Sequence, residues 1–310
     1  MARRAIPNHP AALYFNEMAA LRGHDERCVL LGHFHHPPDP DSPLTRTVIS
    51  VPGQSWGLVS NLDIDDRPCG GDFVEESGQR RLLAVYARGD TYLHHGQTLS
   101  ELGRPPHVGF VSGVKRVGEH LYACGSQHAV YRLEVGAWAE VAGTRRPYEG
   151  PQDPILHAID GFGPEDLYVV GNAGAIRHFD GASWHDLEIP APVALQQVLC
   201  HEDGAVYAFG SSGTVLRGGV DGWQRLEARG LEDDFWGLAS FGGTVYACTF
   251  RSLYAVTGGT LVEVPVAVNR ARRFYRLASN QAFLWATTGT GRVLRFDGRE
   301  WSELTWPDSV

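Results

Sequence analysis

A short histidine-rich segment contains the first residues whose types and spacing suggest chemistry. His33 and His35 stand two positions apart in GHFHH (32–36), so a strand would place both on one face, and His94 follows in LHH (93–95). A metal site requires three or four nitrogen, sulfur or oxygen ligands that converge on one point. We interpret these residues as strand-surface histidines and keep His33, His35 and His94 as the alternative, a set of metal ligands.

Other segments contain parts of catalytic motifs without the context those motifs need. A serine nucleophile on a strand-to-helix turn requires GxSxG, and the chain offers only GSSG (210–213) and GFVSG (109–113). TGTGR (288–292) is followed by no helix that could present its N-terminus to a phosphate. The acidic clusters DIDD (63–66) and EDD (232–234) show no spacing that separates a general acid from a base. We therefore predict no catalytic residues and no cofactor.

Arginine and aromatic residues suggest a binding surface instead. These residue types dominate the energetically important parts of protein interfaces. The predicted partner-binding residues are Trp56, His157, Gln197, Phe235, Trp236, Arg251, Arg272, Arg273, Tyr275 and Arg276. In a chain of net charge −9, the arginines would suit an acidic partner or an anionic ligand. Pairing of these arginines with Glu232, Asp233 and Asp234 of the preceding loop is the alternative.

Composition excludes several classes of protein. The 310 residues are 43% hydrophobic and 20% charged, which is typical of a soluble globular chain, and no segment has the length of a signal peptide core or a membrane span. The net charge disfavours nonspecific nucleic-acid binding. The five cysteines form no CxxC pair, and Cys124 and Cys248 are predicted to be buried thiols. Lys115 is the only lysine, a bias that indicates a GC-rich, bacterial genome. We expect a cytoplasmic protein that is monomeric when free and binds neither nucleic acid nor membrane.

An internal repeat indicates the elements that must position these residues. Two segments have nearly the same sequence: RHFDGASW (177–184) and RFDGREW (295–301). In four copies an aromatic residue precedes a tryptophan by 16 positions: Tyr122 and Trp138, Tyr168 and Trp184, Tyr207 and Trp223, Trp285 and Trp301. Most neighbouring copies are 39 residues apart. Such a period is the signature of a repeat fold.

Each copy alternates apolar and polar residues over short runs that are separated by glycine-containing turns, which predicts four strands per copy. Four strands in about 40 residues form one blade of a β-propeller. We predict an all-β chain that forms a single propeller domain over residues 1–310, with seven blades of four antiparallel strands and six as the alternative. Residues 1–54 would be an irregular first blade, residues 55–306 six regular repeats, and strands from both termini would close the ring.

The repeat register also predicts which residues lie at the rim of the central channel. The residues that begin the innermost strands would be Trp56, Ser112, His157, Gln197, Trp236 and Tyr275. The segment DIDDRPCGGDFVEESGQ (62–78) is predicted to be an extended loop between the first and second strands, because Trp56 and Leu83 are 27 positions apart where Trp236 and Tyr246 are 10 apart. The tryptophan of DGxxW is predicted to pack between neighbouring blades.

The repeats resemble the bacterial β-propeller family whose blades combine a GxxG turn with a DGxxW motif. The resemblance covers about residues 56–306 and implies a propeller fold and, usually, a binding or scaffolding role. The chain has no Trp-Asp ending and no SxDxGxTW box, so WD-repeat and Asp-box sialidase assignments are not supported.

Two hypotheses for function follow from different classes. The first is a non-enzymatic propeller that binds another protein through its channel rim, and its concrete form is an immunity protein that neutralises a toxin or effector. The second is a hydrolase or lyase that acts on a carbohydrate or small ester at the channel mouth, where sugar rings would stack on tryptophan and tyrosine. Converging acids or histidines at the channel floor would favour the enzyme, and an arginine and aromatic rim would favour binding.

Overall fold

A computed structural model describes most of the chain between Leu13 and Leu304. The described residues are 13–20, 28–36, 39–50, 57–62, 66–76, 78–95, 98–147, 155–190, 192–228, 230–266, 273–288 and 293–304, and the first four of these ranges are described as backbone only.

The described strands form four-stranded antiparallel sheets, each built from four strands that are consecutive in the chain. The N-terminal sheet contains β1 (Leu13–Ala20), β2 (Cys28–His36), β3 (Asp39–Ser50) and β4 (Gly57–Leu62). Blade 1 contains β5 (Pro68–Glu76), β6 (Gln79–Tyr86), β7 (Thr91–His95) and β8 (Thr98–Gly103); blade 2 contains β9 (Val111–Val117), β10 (His120–Gly125), β11 (Val130–Glu134) and β12 (Ala137–Glu140). Blade 3 contains β13 (Leu156–Gly163), β14 (Asp166–Gly171), β15 (Ile176–Phe179) and β16 (Trp184–Asp186); blade 4 contains β17 (Leu195–Cys200), β18 (Val206–Gly210), β19 (Val215–Gly219) and β20 (Gly222–Arg225). Blade 5 contains β21 (Phe235–Phe241), β22 (Thr244–Thr249), β23 (Leu253–Thr257) and β24 (Thr260–Val264); blade 6 contains β25 (Phe274–Ser279), β26 (Leu284–Thr288), β27 (Val293–Phe296) and β28 (Trp301–Leu304).

This topology corrects the prediction of seven blades. Six blades of four strands carry the repeat, between Pro68 and Leu304. The expected composite blade, with strands from both termini, is absent from the described sheets, because the last blade takes all four strands from the final repeat. The N-terminal strands instead pair with one another in a sheet of their own, and β1 lies against β5 and β25.

A second correction concerns residues 62–78, where Pro68–Glu76 form the innermost strand of blade 1 rather than an extended loop. Gly71 is required there by close packing, because a Cβ atom at this position would lie 2.2 Å from the carbonyl oxygen of Leu83 on the paired strand. A glycine that breaks the sequence pattern is therefore part of the sheet.

The hydrophobic cores lie between blades. In each of five core clusters, buried side chains from one blade pack against those of the next blade along the chain. Trp138 shows how the repeated tryptophan contributes, because it is buried in the cluster between blades 1 and 2 and its Nε1 donates a hydrogen bond to Thr91 Oγ1 at 2.9 Å. The predicted role of this tryptophan in packing between blades is confirmed.

The Asp-Gly pair of the repeat forms the turn before the outermost strand. Asp180 Oδ1 accepts hydrogen bonds from the backbone N–H groups of Ala182 and Ser183 at 2.9 and 2.7 Å, and Gly181 has a φ of +90°. These backbone donors lower the pKa of Asp180 below its ordinary value. The pair thus combines an acceptor that holds the turn with a residue that tolerates positive φ.

The glycine that ends the second strand is predicted to be essential for blade geometry. A Cβ atom at Gly171 would lie 2.0 Å from the carbonyl oxygen of Ile155, whereas a Cβ at Gly163 of the same blade would meet no atom within 4 Å. We expect Gly171→Ala to lower the free energy of unfolding by about 1–3 kcal/mol, since the strand must shift. Gly163→Ala is the control and should leave it unchanged or raise it by less than about 1 kcal/mol. Urea unfolding followed by circular dichroism measures both, and equal effects would contradict the prediction.

Candidate partner-binding site

Every repeat blade carries a one-residue β-bulge at the second position of its innermost strand. The pairing register skips one residue in each case, and the skipped residues are Cys69, Ser112, His157, Gln196, Trp236 and Tyr275. A bulge turns a side chain out of the regular alternation of a strand and is common at barrel rims. We call these six the bulge residues.

All six bulge residues line one cavity of about 330 Å³ formed by the innermost strands, which we call the channel mouth. Five residues that the repeat register predicted at the rim line this cavity: Ser112, His157, Gln197, Trp236 and Tyr275. In blade 4 the bulged residue is Gln196, one position before Gln197, although both line the mouth. In blade 1 the bulge position belongs to Cys69, and Trp56 lies outside the described residues.

The wall formed by blades 5 and 6 is aromatic and cationic. Trp236 and Tyr275 are stacked, with ring centroids 6.0 Å apart and planes 10° apart. The Arg276 guanidinium lies 4.9 Å from the centroid of Tyr275, and its Nη1 donates to the Trp236 carbonyl oxygen at 2.9 Å. This contact fixes Arg276 beside the stacked rings.

Two carboxylates that lie next to the channel mouth, without lining it, are engaged with cations. Asp160 is 4% exposed, accepts a hydrogen bond from the Cys200 backbone N–H at 3.1 Å and lies 3.6 Å from Lys115 Nζ. Asp72 accepts a hydrogen bond of 2.6 Å from Arg116 Nε. Each of these carboxylates therefore already serves a structural ion pair.

His157, which lines the mouth, is hydrogen-bonded within its own blade. His157 Nε2 lies 2.7 Å from Asn172 Oδ1, so this nitrogen donates and the imidazole is oriented by the amide.

The remaining predicted binding residues occupy different environments. Arg251 has a side chain that is 79% exposed, and its Nε lies 3.9 Å from Asp233 Oδ2, so the alternative of pairing with the loop acids is realised in part. The guanidinium of Arg273 lies 5.4 Å from the ring of Phe250, which is 41% exposed. Arg272 lies outside the described residues.

Phe235 does not line the channel mouth. It is fully buried, and its ring packs edge-to-face against Phe209 with centroids 5.0 Å apart. The bulge that follows Phe235 places Trp236 in the mouth and leaves Phe235 in the core between blades 4 and 5, because neighbouring residues of a strand face opposite ways.

The metal-ligand alternative gains no support from the described side chains. No group of three or more histidine, cysteine, aspartate or glutamate residues converges in the part of the chain whose side chains are described. His94 is buried in β7 of blade 1. His33 and His35 lie on β2 of the N-terminal sheet, and their side chains fall outside that part.

The two predicted buried thiols are confirmed. Cys124 and Cys248 are free and fully buried in their second strands. Burial raises the pKa of Cys248 to about 12 and that of Cys124 further, so both are inert, protonated packing groups.

Two residues of the mouth were not indicated by the repeat pattern. Arg67 and Lys115 line the mouth beside Arg276. Lys115 stands three positions after the bulge residue Ser112, and only the strand pairing shows that it faces the channel. The one feature of the sequence that could have drawn attention to Lys115 is that it is the only lysine.

Comparison with known proteins identifies a relative of similar length. The chain is 33% identical over 251 residues to the immune protein Tsi7 of Pseudomonas aeruginosa, and the match covers 80% of each chain. This chain belongs to the Tsi7 immune-protein family. No protein-family model matches it.

Solved structures of distant sequence share the propeller fold with this Tsi7-family chain. The WD40 propeller domain of Doa1 has a TM-score of 0.65 at 10% identity and covers 93% of this chain and 97% of its own. Virginiamycin B lyase from Staphylococcus aureus has a TM-score of 0.62 at 14% identity and covers 77% and 84%. YCF48 from Cyanidioschyzon merolae has a TM-score of 0.58 at 16% identity and covers 81% and 88%. These likenesses establish the fold alone.

A buried histidine lies in blade 2 of this member of the Tsi7 family. His128 occupies the turn between β10 and β11, is 6% exposed and has a φ of +54°. Burial lowers its pKa to about 4, and the positive charges of Arg146 and Arg177 add to the shift. The imidazole is therefore neutral in the folded state at neutral pH.

This histidine predicts a specific loss of stability in acid. Between pH 6.5 and about 4 the unfolded state binds a proton that the folded state excludes, so stability falls as the pH falls, by about 1–3 kcal/mol. His128→Asn, which tolerates positive φ, should lack this component. The control is His107→Asn, because His107 has a similar φ of +55° but is exposed. Urea unfolding at neutral and acidic pH measures the difference, and an unchanged pH dependence in His128→Asn contradicts the assignment.

Proposed function

We propose that this chain is an immunity protein that binds and neutralises a toxin protein. The observation that carries the proposal is the 33% identity to the immune protein Tsi7 over 80% of both chains. A rigid propeller with an aromatic and arginine-bearing rim fits a protein-binding role, because such residues dominate interface hot spots. The GxxG and DGxxW repeat family that the blades resemble usually has the same kind of role.

The binding surface in this proposal is the channel mouth with the neighbouring turns of blades 5 and 6. Trp236, Tyr275 and Arg276 form its preorganised centre, because they are already held in one stacked unit. Arg251 and Arg273 extend it outward beside the exposed ring of Phe250. A rigid aromatic anchor surrounded by charged groups loses little conformational entropy on binding.

The same proposal places the protein in the cytoplasm as a free monomer. A net charge of −9 disfavours nucleic acid as a partner. No helix among the described residues is long and apolar enough to cross a membrane.

The enzyme hypothesis receives no specific support. The channel carboxylates Asp72 and Asp160 are bound to Arg116 and Lys115, and His157 is bound to Asn172. These side chains are therefore already engaged by neighbouring groups of the fold.

The proposal is tested by capture of the toxin from the native host. Tagged wild-type chain should retain one stoichiometric protein, identified by mass spectrometry, and should restore growth to cells that express that protein. We expect Arg273→Ala/Tyr275→Ala to weaken binding at least about thirtyfold, equivalent to 2 kcal/mol, because both residues belong to the rim.

The matched control removes one arginine and one aromatic residue elsewhere. The 44% exposed Phe162 lies near the end of β13 and Arg299 lies in the turn before β28, both at the end of the strands opposite the mouth, so Phe162→Ala/Arg299→Ala should bind as the wild type does. Thermal unfolding of all three proteins confirms folding. A wild-type chain that retains no protein and protects no cell rules out the proposed function, and equal loss in both variants rules out the proposed face.

A further inference from the structure

The charged residues that line the channel mouth are all cations. Among the described lining residues the charged ones are Arg67, Lys115 and Arg276, and no carboxylate faces this cavity. The whole chain, in contrast, carries a net charge of −9. A cleft lined by one sign of charge with low-dielectric walls concentrates the opposite sign. The mouth is therefore suited to an anionic group.

Lys115 is placed to contact that group. It lies on β9 and also lines the adjoining cavity of about 310 Å³, whose other charged lining residues are Arg276 and the ion pair of Asp72 with Arg116. Its side chain is 42% exposed, and its Nζ lies 3.6 Å from Asp160 Oδ2, which is longer than a direct hydrogen bond. Lys115 thus lines the mouth while its ammonium lies near the buried Asp160, and an ammonium with three N–H donors can also donate to a second acceptor.

The size of the mouth limits what can enter it. A cavity of about 330 Å³ accommodates one or two side chains, not a folded element. The stacked Trp236 and Tyr275 supply an apolar wall for the methylene groups of an entering side chain. A carboxylate on a short aliphatic stem matches both the charge and the wall.

We propose that the channel mouth binds an aspartate or glutamate side chain from an exposed loop of the toxin, with Lys115 as its ion-pair partner and Arg67 and Arg276 beside it. The inference rests on the proposed function and specifies the chemistry of the partner's contact. The side chain enters among the six bulge residues, and the rim of blades 5 and 6 contacts the toxin surface around it. A carboxylate held by several cations in a partly enclosed site gives strong discrimination against neutral side chains.

The only lysine in the chain makes the test specific. A carbodiimide joins a carboxylate to an amine in direct contact, and Lys115 and the chain's N-terminal amine are the only two such amines here. We treat the complex of wild-type chain and captured toxin with carbodiimide and map the linked peptides by mass spectrometry. The expected result is an amide between Lys115 and one toxin aspartate or glutamate. A link to Asp160 alone overturns the proposal, because it shows that no partner carboxylate reaches Lys115.

Protection of the amine gives an independent readout. An amine-acetylating reagent should modify Lys115 in the free chain and modify it at least tenfold more slowly in the complex. Equal rates overturn the proposal. Inorganic phosphate alone is tested in the same way on the free chain. If phosphate protects the Lys115 amine as strongly as the toxin does, the proposal is overturned, because the mouth is then a site for small anions.

Substitutions separate charge from structure. Lys115→Arg keeps the cation and should retain toxin binding within about threefold. Lys115→Met/Asp160→Asn removes both members of the ion pair, so no buried charge is left unpaired, and should weaken binding at least tenfold while unfolding at a similar temperature. Binding unchanged in this double variant overturns the proposal. A wild-type chain that captures no toxin instead refutes the proposed function, so the two failures are distinguishable.

Discussion

Apolar packing between neighbouring blades is the interaction on which the structure depends. A single repeat cannot bury its hydrophobic faces by itself, and five of the core clusters in the described residues join one blade to the next. The clusters between blades hold the repeated aromatic positions of the second strand, such as Tyr122 and Tyr207, together with the tryptophans of the fourth. Because both faces of a middle blade are committed to this packing, the free edges of the innermost strands are left to form the channel.

The separation between residues that pack between blades and strands that form the channel explains which features were predictable from the sequence. The period was visible because packing between blades demands large apolar side chains at fixed positions, and Trp138 and Trp184 mark them in neighbouring copies. The rim positions Ser112, His157, Trp236 and Tyr275 followed from the same register. The order of strands within each repeat blade was therefore predictable from residues whose role is to pack.

The failures have physical causes of their own. Strand β5 was missed because the repeat register placed the innermost strand of this copy at Trp56 and treated residues 62–78 as an insertion, whereas the strand is Pro68–Glu76. The shift from Gln197 to Gln196 arises from a bulge, which has no fixed residue type. The predicted closure by a composite blade was wrong because the final repeat supplies all four strands of its own sheet, so no N-terminal strand is needed to complete it. The mouth is cationic in part because Lys115 of β9 lines it, and this position became visible only once the strands were paired.

The repeated bulge has a consequence for how such proteins diversify. In blades 2 to 6 the bulged residue lies outside the ladder of paired backbone groups and outside the core clusters between blades, whereas Cys69 of blade 1 belongs to the core between blades 1 and 2. The positions of His157 and Trp236 can thus change with less effect on folding than core positions, while the backbone that presents them stays constant. A lineage under pressure to match a changing toxin would accumulate substitutions at these five sites, and the propeller would keep the same backbone around a variable recognition surface.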